Sequence, residues 1–183
     1  ILHGRPVRYS YMNGGSGGGR QSLAEAQFYP NDYDGIWASC PAINWTQFLA
    51  SGLWAVTVMN EYDHILGFHK INAFRDAVHN SVGGKENYFQ VEERIDYDPY
   101  TILGQKTKGG KITEKDCLVM QEIWKGPHTT GNDFLWYSFL PGGTFWNKII
   151  PIGSFYYPLI GKRPKCFSLV EQYVHLAFED PKK

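Results

Sequence analysis

The stretch Asn13 to Gly19, Asn-Gly-Gly-Ser-Gly-Gly-Gly, constrains this chain more than any other. Five of its seven residues are glycine, a density that specifies a tight turn or loop because glycine alone enters left-handed backbone space without steric cost. Its flanks give the turn a direction. Pro6 to Met12 alternates β-branched or aromatic residues with polar ones and predicts a strand. Gln21 to Tyr29 sets Leu23, Ala26 and Gln27 at turn spacing and predicts a helix stopped by Pro30. Asp34 to Ala42 is a short apolar run suited to a buried parallel strand. Strand, glycine turn, helix and strand within about 40 residues form a βαβ unit, and hence a parallel sheet.

Within the turn, Gly14-Gly15-Ser16-Gly17-Gly18 fits G-x-S-x-G in the context that motif needs, a strand before and a helix after. A serine on so sharp a turn occupies strained backbone space, and its neighbours must lack side chains where the chain crosses closely. The helix beyond presents free N–H groups and a positive dipole end to a developing oxyanion, with the Gly17 N–H as one donor. The plain alternative is a flexible Gly-Ser loop. Phosphate cradles compete less well for the same glycines. A P-loop requires G-x-x-x-x-G-K-[ST], whereas Arg20-Gln21 follows Gly19. A dinucleotide fold wants an acidic residue ending the next strand, whereas Asp34 precedes its strand.

Charge and composition narrow the field further. Lys plus Arg and Asp plus Glu number 18 each among 183 residues, giving a formal net charge of zero. No basic field draws nucleic acid or an anionic membrane. With 43% hydrophobic and 20% charged residues, disorder and coiled coil are excluded. The longest apolar candidate, Phe48 to Met59, is interrupted by Ser51, Gly52 and Thr57, so no membrane span is expected. Cysteines are three: Cys40, Cys117 and Cys166. The first two lie in apolar runs and are expected to act as small hydrophobes. No CxxC, HExxH or EF-hand spacing occurs. Asn44-Trp45-Thr46 is a glycosylation triplet, in keeping with secretion. The chain opens Ile1-Leu2, shows no signal-peptide pattern and closes on Glu179-Asp180-Pro181-Lys182-Lys183 directly after a helical pattern, so an incomplete chain is expected.

Beyond residue 45 the texture turns helical. Trp45 to Met59 and Glu61 to Val78 predict two helices, the second with Ile65, Phe68, Ile71 and Val78 on one face. Ser81 to Lys111 reads as a long polar loop. Thr113 to Trp124 is the clearest helix: Thr113-x-x-Asp116 makes a capping box, Cys117, Met120 and Trp124 share a face, and Gly126-Pro127 stops it. Residues 134 to 157 are rich in aromatics, and Ser168 to Phe178 predicts a final amphipathic helix.

Several stretches together carry a family resemblance. Arg5-Pro-Val-Arg-Tyr-Ser-Tyr-Met-Asn-Gly-Gly-Ser-Gly-Gly-Gly-Arg-Gln, Glu25-Ala-Gln-Phe-Tyr-Pro-Asn-Asp-Tyr-Asp-Gly-Ile and Pro41-Ala-Ile-Asn-Trp-Thr resemble the tannase and feruloyl-esterase family. So do Ala73-Phe-Arg-Asp-Ala-Val, Asp98-Pro99, Gly110-Lys-Ile-Thr-Glu-Lys-Asp, Ile123-Trp-Lys-Gly-Pro and Phe134-Leu-Trp-Tyr. The resemblance implies a secreted serine esterase of aromatic carboxylic esters, galloyl or feruloyl in type. It implies an α/β fold: residues 1–48 as part of an α/β-hydrolase core (strand, nucleophile elbow, helix, strand), and 49–183 as an inserted, mostly helical, aromatic-rich lid. It gives Ser16 as nucleophile, Gly17 as oxyanion donor, and a small aromatic ester as partner rather than nucleic acid or membrane.

The departures from that family pattern are specific. The family reads Gly-Cys-Ser-Thr-Gly-Gly-Arg-Gln at the turn, with the Cys in a disulfide beside the catalytic His; here Gly15 replaces Cys and Gly17 replaces Thr. The family's lid calcium loop falls at Val78, His79, Val82, Gly83, Glu86 and Asn87, where Glu86 alone remains a ligand, and a calcium ion wants six to eight oxygens. No cofactor is therefore expected. The loop's second Cys falls near Ile95. The family's triad Asp and His come after the lid, beyond this chain, and its second oxyanion donor comes before Ile1. The histidines and acids at hand (His128 or His175 with Asp133 or Asp180) read as structural or loop residues. This chain alone is thus expected to be inactive.

Among the aromatics of residues 134–157, Trp136, Tyr137, Phe145 and Trp146 are the candidates for stacking on an aryl ester, against the plainer reading that they form the lid's own core. The alternative function, favoured by the replacements at Gly15, His79, Val82 and Ile95, is a degenerate non-catalytic relative or gene fragment that at most binds aromatic ligands.

Overall fold

The computed structural model describes residues 4, 6–82, 95–137 and 139–143. By internal packing the chain divides into two compact units, Ile1–Phe48 and Leu49–Lys183.

The first unit is a right-sized βαβ piece. Strand β1 (Tyr11–Gly15) pairs in parallel with β2 (Gly35–Ser39), Tyr11 opposite Gly35 and Gly15 opposite Ser39. Helix α1 (Gly17–Phe28) connects them. The strand begins five residues later than its alternation predicts. Pairing, rather than side-chain type, sets the start: Asp34 donates its N–H to the Ser10 carbonyl at 2.8 Å, and its carboxylate accepts from the Ser10 N–H at 2.7 Å. Among the described residues before Ser10 no strand forms. The glycine cluster is likewise no loop. Gly14 and Gly15 end β1 and Gly17 to Gly19 open α1, which leaves Ser16 alone as the turn.

Among the described residues the second unit is built on three helices. Helix α2 (Trp45–Glu61) and helix α3 (Phe68–Ser81) are separated by a six-residue connector, where the sequence predicts nearly continuous helix. Asp63, at φ 42°, ends α2 in the manner of a Schellman cap, with the His64 N–H donating to the Met59 carbonyl at 3.0 Å. Glycine ordinarily holds that position, so no breaker advertises the stop. A 3-10 turn (Pro99–Ile102) and a short hairpin of β3 (Lys106–Thr107) and β4 (Gly110–Lys111) occupy part of the stretch expected to be irregular. Helix α4 (Glu114–Lys125) follows as predicted, with both halves of the Thr113–Asp116 capping box formed and Gly126 at φ 83° ending it. The helix predicted for Ser168 to Phe178 lies outside the described residues.

Apolar stripes meet between these helices. Ala55, Val58 and Met59 of α2, Ile71 and Phe74 of α3, and Val119, Met120 and Ile123 of α4 are buried in one cluster with Leu66 and Ile112. Cys117 is fully buried there, and burial pushes its thiol up to about 11. Cys40, by contrast, is exposed, which corrects its expected role as a core residue. Trp54 reaches from α2 to donate its indole N–H to the Glu122 carbonyl at 3.0 Å. No helix among the described residues is long and apolar enough to cross a membrane.

One carboxylate ties the unit together. Asp116, with its side chain fully buried, accepts from Lys70 Nζ at 2.6 Å, hydrogen-bonds His64 Nε2 at 2.8 Å, and accepts from the Thr113 N–H and hydroxyl at 2.7 Å each. Burial acts to raise the carboxyl, but the bonds from Lys70, His64 and Thr113 outweigh it and hold it below its ordinary 3.8. Because the folded value is depressed, this stabilisation is complete above the ordinary value and is lost as pH falls through the folded one. Asp116→Asn should cost about 3 kcal/mol, as Lys70 keeps its charge without a counterion, and should flatten the acid limb of stability against pH. Urea titrations across that range check both. Peptide mapping after brief alkylation of the native protein should find Cys40 modified and Cys117 protected.

Candidate active site

Ser16 stands between the last residue of β1 and the first of α1 with φ 55° and ψ −116°. A non-glycine residue in such space costs about 1–3 kcal/mol and persists only where its surroundings fix it. Here three backbone bonds do so. The Ser16 N–H donates to the Ser39 carbonyl at 3.1 Å, and the Ser16 carbonyl accepts from Arg20 at 3.1 Å and Ala42 at 3.0 Å. The end of β2 and the residues after it thus hold the turn from both sides. Ser16 is exposed and its hydroxyl makes no hydrogen bond among the described residues.

The Arg20-to-Ser16 bond is the first of α1's own ladder, so the N–H groups of Gly17, Gly18 and Gly19 precede it. No acidic side chain occupies that first turn to offset the helix dipole. A serine hydroxyl beside a glycine N–H at an uncompensated helix N-terminus is an arrangement able to receive negative charge built up on a carbonyl oxygen.

The steric requirement falls elsewhere than G-x-S-x-G suggests. A Cβ on Gly14 would lie 2.1 Å from the Gly18 carbonyl oxygen and 2.5 Å from Ser22 Oγ, and one on Gly19 would lie 2.5 Å from the Ser39 carbonyl oxygen. Gly15, Gly17 and Gly18 face open space. The serine's immediate neighbours therefore need not be glycine; the crossing points are Gly14, where α1 packs on β1, and Gly19, where it packs on the end of β2. Gly15 and Gly17, the two departures from the family pattern, are positions with room for a side chain.

Sequence reasoning also missed a contact on which the turn leans. The Arg20 guanidinium lies over the Trp45 ring, 5.3 Å from its centroid, and Trp45 packs against Phe48 at 5.7 Å. Arg20 and Trp45 belong to the two stretches that carry the family resemblance most specifically, and that coincidence was the available signal. Cys40 flanks the site with φ 36°, its sulfur 3.9 Å from the Ser39 hydroxyl.

The other candidates lie in the second unit or beyond description. Trp136 is half-buried and meets the exposed Tyr137 edge-on at 5.4 Å, and Tyr137 meets Phe134 at 5.3 Å. Phe145, Trp146, Glu86, His175 and Asp180 fall outside the described residues. His128 is a half-buried loop residue, with Nδ1 2.8 Å from the Gly126 carbonyl and its ring edge-on to Trp54 at 4.8 Å. Asp133 accepts from the Thr129 hydroxyl within the same loop. His79 bonds the Gly142 carbonyl at 3.0 Å. No group of three His, Cys, Asp or Glu suited to a metal occurs among the described residues.

Alanine substitutions separate crossing points from open ones. Gly14→Ala and Gly19→Ala should each destabilise by about 3 kcal/mol, the upper range of overpacking, whereas Gly15→Ala and Gly17→Ala should stay within about 1 kcal/mol. Thermal unfolding of the four variants reads the contrast.

Comparison with known proteins agrees with the geometry. Residues 2–88 match the family model described as tannase and feruloyl esterase. Over 163 residues the chain is 33% identical to a "Probable feruloyl esterase" of Arthroderma benhamiae, covering 83% of this chain and 28% of that protein. Over 59 residues it is 43% identical to feruloyl esterase B of Aspergillus niger, covering 31% of this chain and 11% of that protein. It superposes on the tannin acyl hydrolase of Aspergillus niger with a TM-score of 0.72 at 19% identity, covering 96% of this chain and 34% of that one. It also superposes on feruloyl esterase B of Aspergillus oryzae, with a TM-score of 0.57 at 22% identity, covering 74% and 29%. The chain spans 28% of the Arthroderma relative's length, and at such identities the solved structures speak to the fold alone. Through residues 2–88, which match its family model, and the 33% identity over 163 residues, this chain belongs to the tannase and feruloyl esterase family.

Proposed function

We propose that Ser16 is the nucleophile of a carboxylic ester hydrolase that cleaves aromatic esters, galloyl or feruloyl in type, through an acyl-serine intermediate. The observation that carries this reading is the strained Ser16 turn, clamped by Ser39 and Ala42 and followed by helix N–H groups with no partner in the ladder. In the first step Ser16 Oγ attacks the ester carbonyl as its proton passes to a base, and the Gly17 N–H donates to the resulting oxyanion. Collapse expels the alcohol with that proton, and water then releases the acid by the reverse course. The base and its orienting carboxylate are not among the described residues, so the activity is proposed for the complete protein. Such chemistry needs no cofactor and the proposal includes none, with Glu86 as the sole relic of a calcium loop.

Residues 49–183 serve in this reading as the inserted lid, with Trp136 and Tyr137, and further along Phe145 and Trp146, against the substrate's aryl ring. Secretion follows from the family. A second reading, a non-catalytic relative or gene fragment that binds aromatic ligands, draws support from Gly15, His79, Val82 and Ile95 standing where the family has other residues, and from His79 being engaged with Gly142.

Hydrolysis of methyl ferulate, methyl gallate and a p-nitrophenyl ester by the complete protein separates the two readings. Ser16→Ala should lower kcat by roughly 10⁶-fold, the scale of losing a nucleophilic serine, and should abolish fluorophosphonate labelling. Equal rates for both forms would remove Ser16 from the mechanism. The 183-residue chain alone should not label, since a serine without a base is a weak nucleophile.

A further inference from the structure

We propose that the second unit carries a groove for an acidic saccharide, a hydroxylated ligand bearing a carboxylate. The inference stands apart from the role of Ser16. A cavity of about 520 Å³ opens between one face of α3 and the Ile102–Lys108 stretch, a volume suited to a ligand of a few rings. Asn72, Asp76 and Asn80 recur every four residues and line it from α3, while Gln105, Lys106 and Lys108 line it from the hairpin side. Ala73, Ala77 and Ile102 supply small apolar ground between the polar groups, and Tyr97 also contributes to the wall.

The polar groups specify the ligand. Asn72, Asn80 and Gln105 are primary amides, each able to donate and accept at once, which matches neighbouring hydroxyls that do the same. Asn72, Asp76 and Asn80 stand one turn apart on α3, so the two asparagines present their amides along the length of the groove. Positive charge gathers at one end. The hairpin tip packs on α3, a Cβ at Gly109 lying 3.3 Å from that of His69, and this places His69, Lys106 and Lys108 together. Neither lysine has an ion-pair partner among the described residues. Asp76, the one carboxylate among the described lining residues, is engaged by Arg75 at 2.6 Å. A neutral sugar gives the lysines no task, and a bare oxoanion gives none to the three amides. A uronate-bearing saccharide uses both.

Isothermal titration with trigalacturonate, with a neutral trisaccharide of equal length and with sulfate tests this, since none of the readouts involves ester hydrolysis. Trigalacturonate should bind with a Kd of about 1 mM or tighter, and the neutral trisaccharide about tenfold more weakly. The double variant K106A/K108A should erase that preference, and Asn80→Ala should weaken both sugars about threefold. All three side chains are exposed, so the melting temperature should hold and a loss of binding would not mean a loss of fold. Equal affinity for the charged and neutral sugars, unchanged affinity in the double variant, or no heat at ~10 mM would overturn the proposal. Displacement of trigalacturonate by equimolar sulfate would overturn it as well, by reducing the groove to an anion site.

Discussion

The Ser39 carbonyl and the Ala42 N–H hold Ser16 in a conformation it would otherwise leave, and the first unit is arranged around those two bonds. They lie at the far end of a strand pair whose near end is closed by the Ser10–Asp34 ring of hydrogen bonds. Between them the register is fixed over five residue pairs. A slip by one residue would turn every side chain to the other face and withdraw the Ser39 carbonyl from the turn. The helix is then admitted by the missing side chains at Gly14 and Gly19, and Arg20 lies across Trp45 to fasten the segment leaving β2. The Ser16 turn is thus defined largely by main-chain bonds, and its neighbours Gly15 and Gly17 are positions with room for a side chain.

The second unit follows another logic. No sheet organises it beyond a two-stranded hairpin among the described residues. Three apolar stripes meet around Phe74 and Met120, and polar bonds between elements do the aligning: Trp54 to Glu122 between α2 and α4, and Asp116 to Lys70 between α4 and α3. Its aromatic edge-to-face contacts, Phe74 with Trp124 at 6.1 Å and Tyr97 with the same ring at 6.1 Å, extend the core outward. Aromatic residues thus serve packing here as well as the substrate contact proposed for Trp136 and Tyr137.

What the sequence made legible was local. The Thr113–Asp116 box, the helix after it and its end at Gly126 need nothing beyond neighbours in the chain. So does the placing of Ser16 between a strand and a helix. What it hid was set by distant partners. Pro6 to Ser10 has the residues of a strand, but β1 waits for Asp34. The end of α2 depends on Asp63 taking a glycine's conformation. Cys40 lies in an apolar run yet faces solvent, because the chain turns there at a positive φ to leave the strand. The glycine-rich turn reads as a group in the sequence; only the fold separates the two glycines that are crowded from the three that are open.

The buried carboxylate of Asp116 has a consequence for the order of assembly. Its partners His64 and Lys70 precede it by 52 and 46 residues. As the chain emerges from the ribosome, α2 and α3 are complete while their shared counterion is still unmade, and an amphipathic helix pair with an unmatched lysine at its seam has no settled arrangement. The unit gains its lock only when α4 arrives, so it should form as one late cooperative step rather than helix by helix. A single acid on α4 thereby couples the alignment of α3 to the arrival of the later helix.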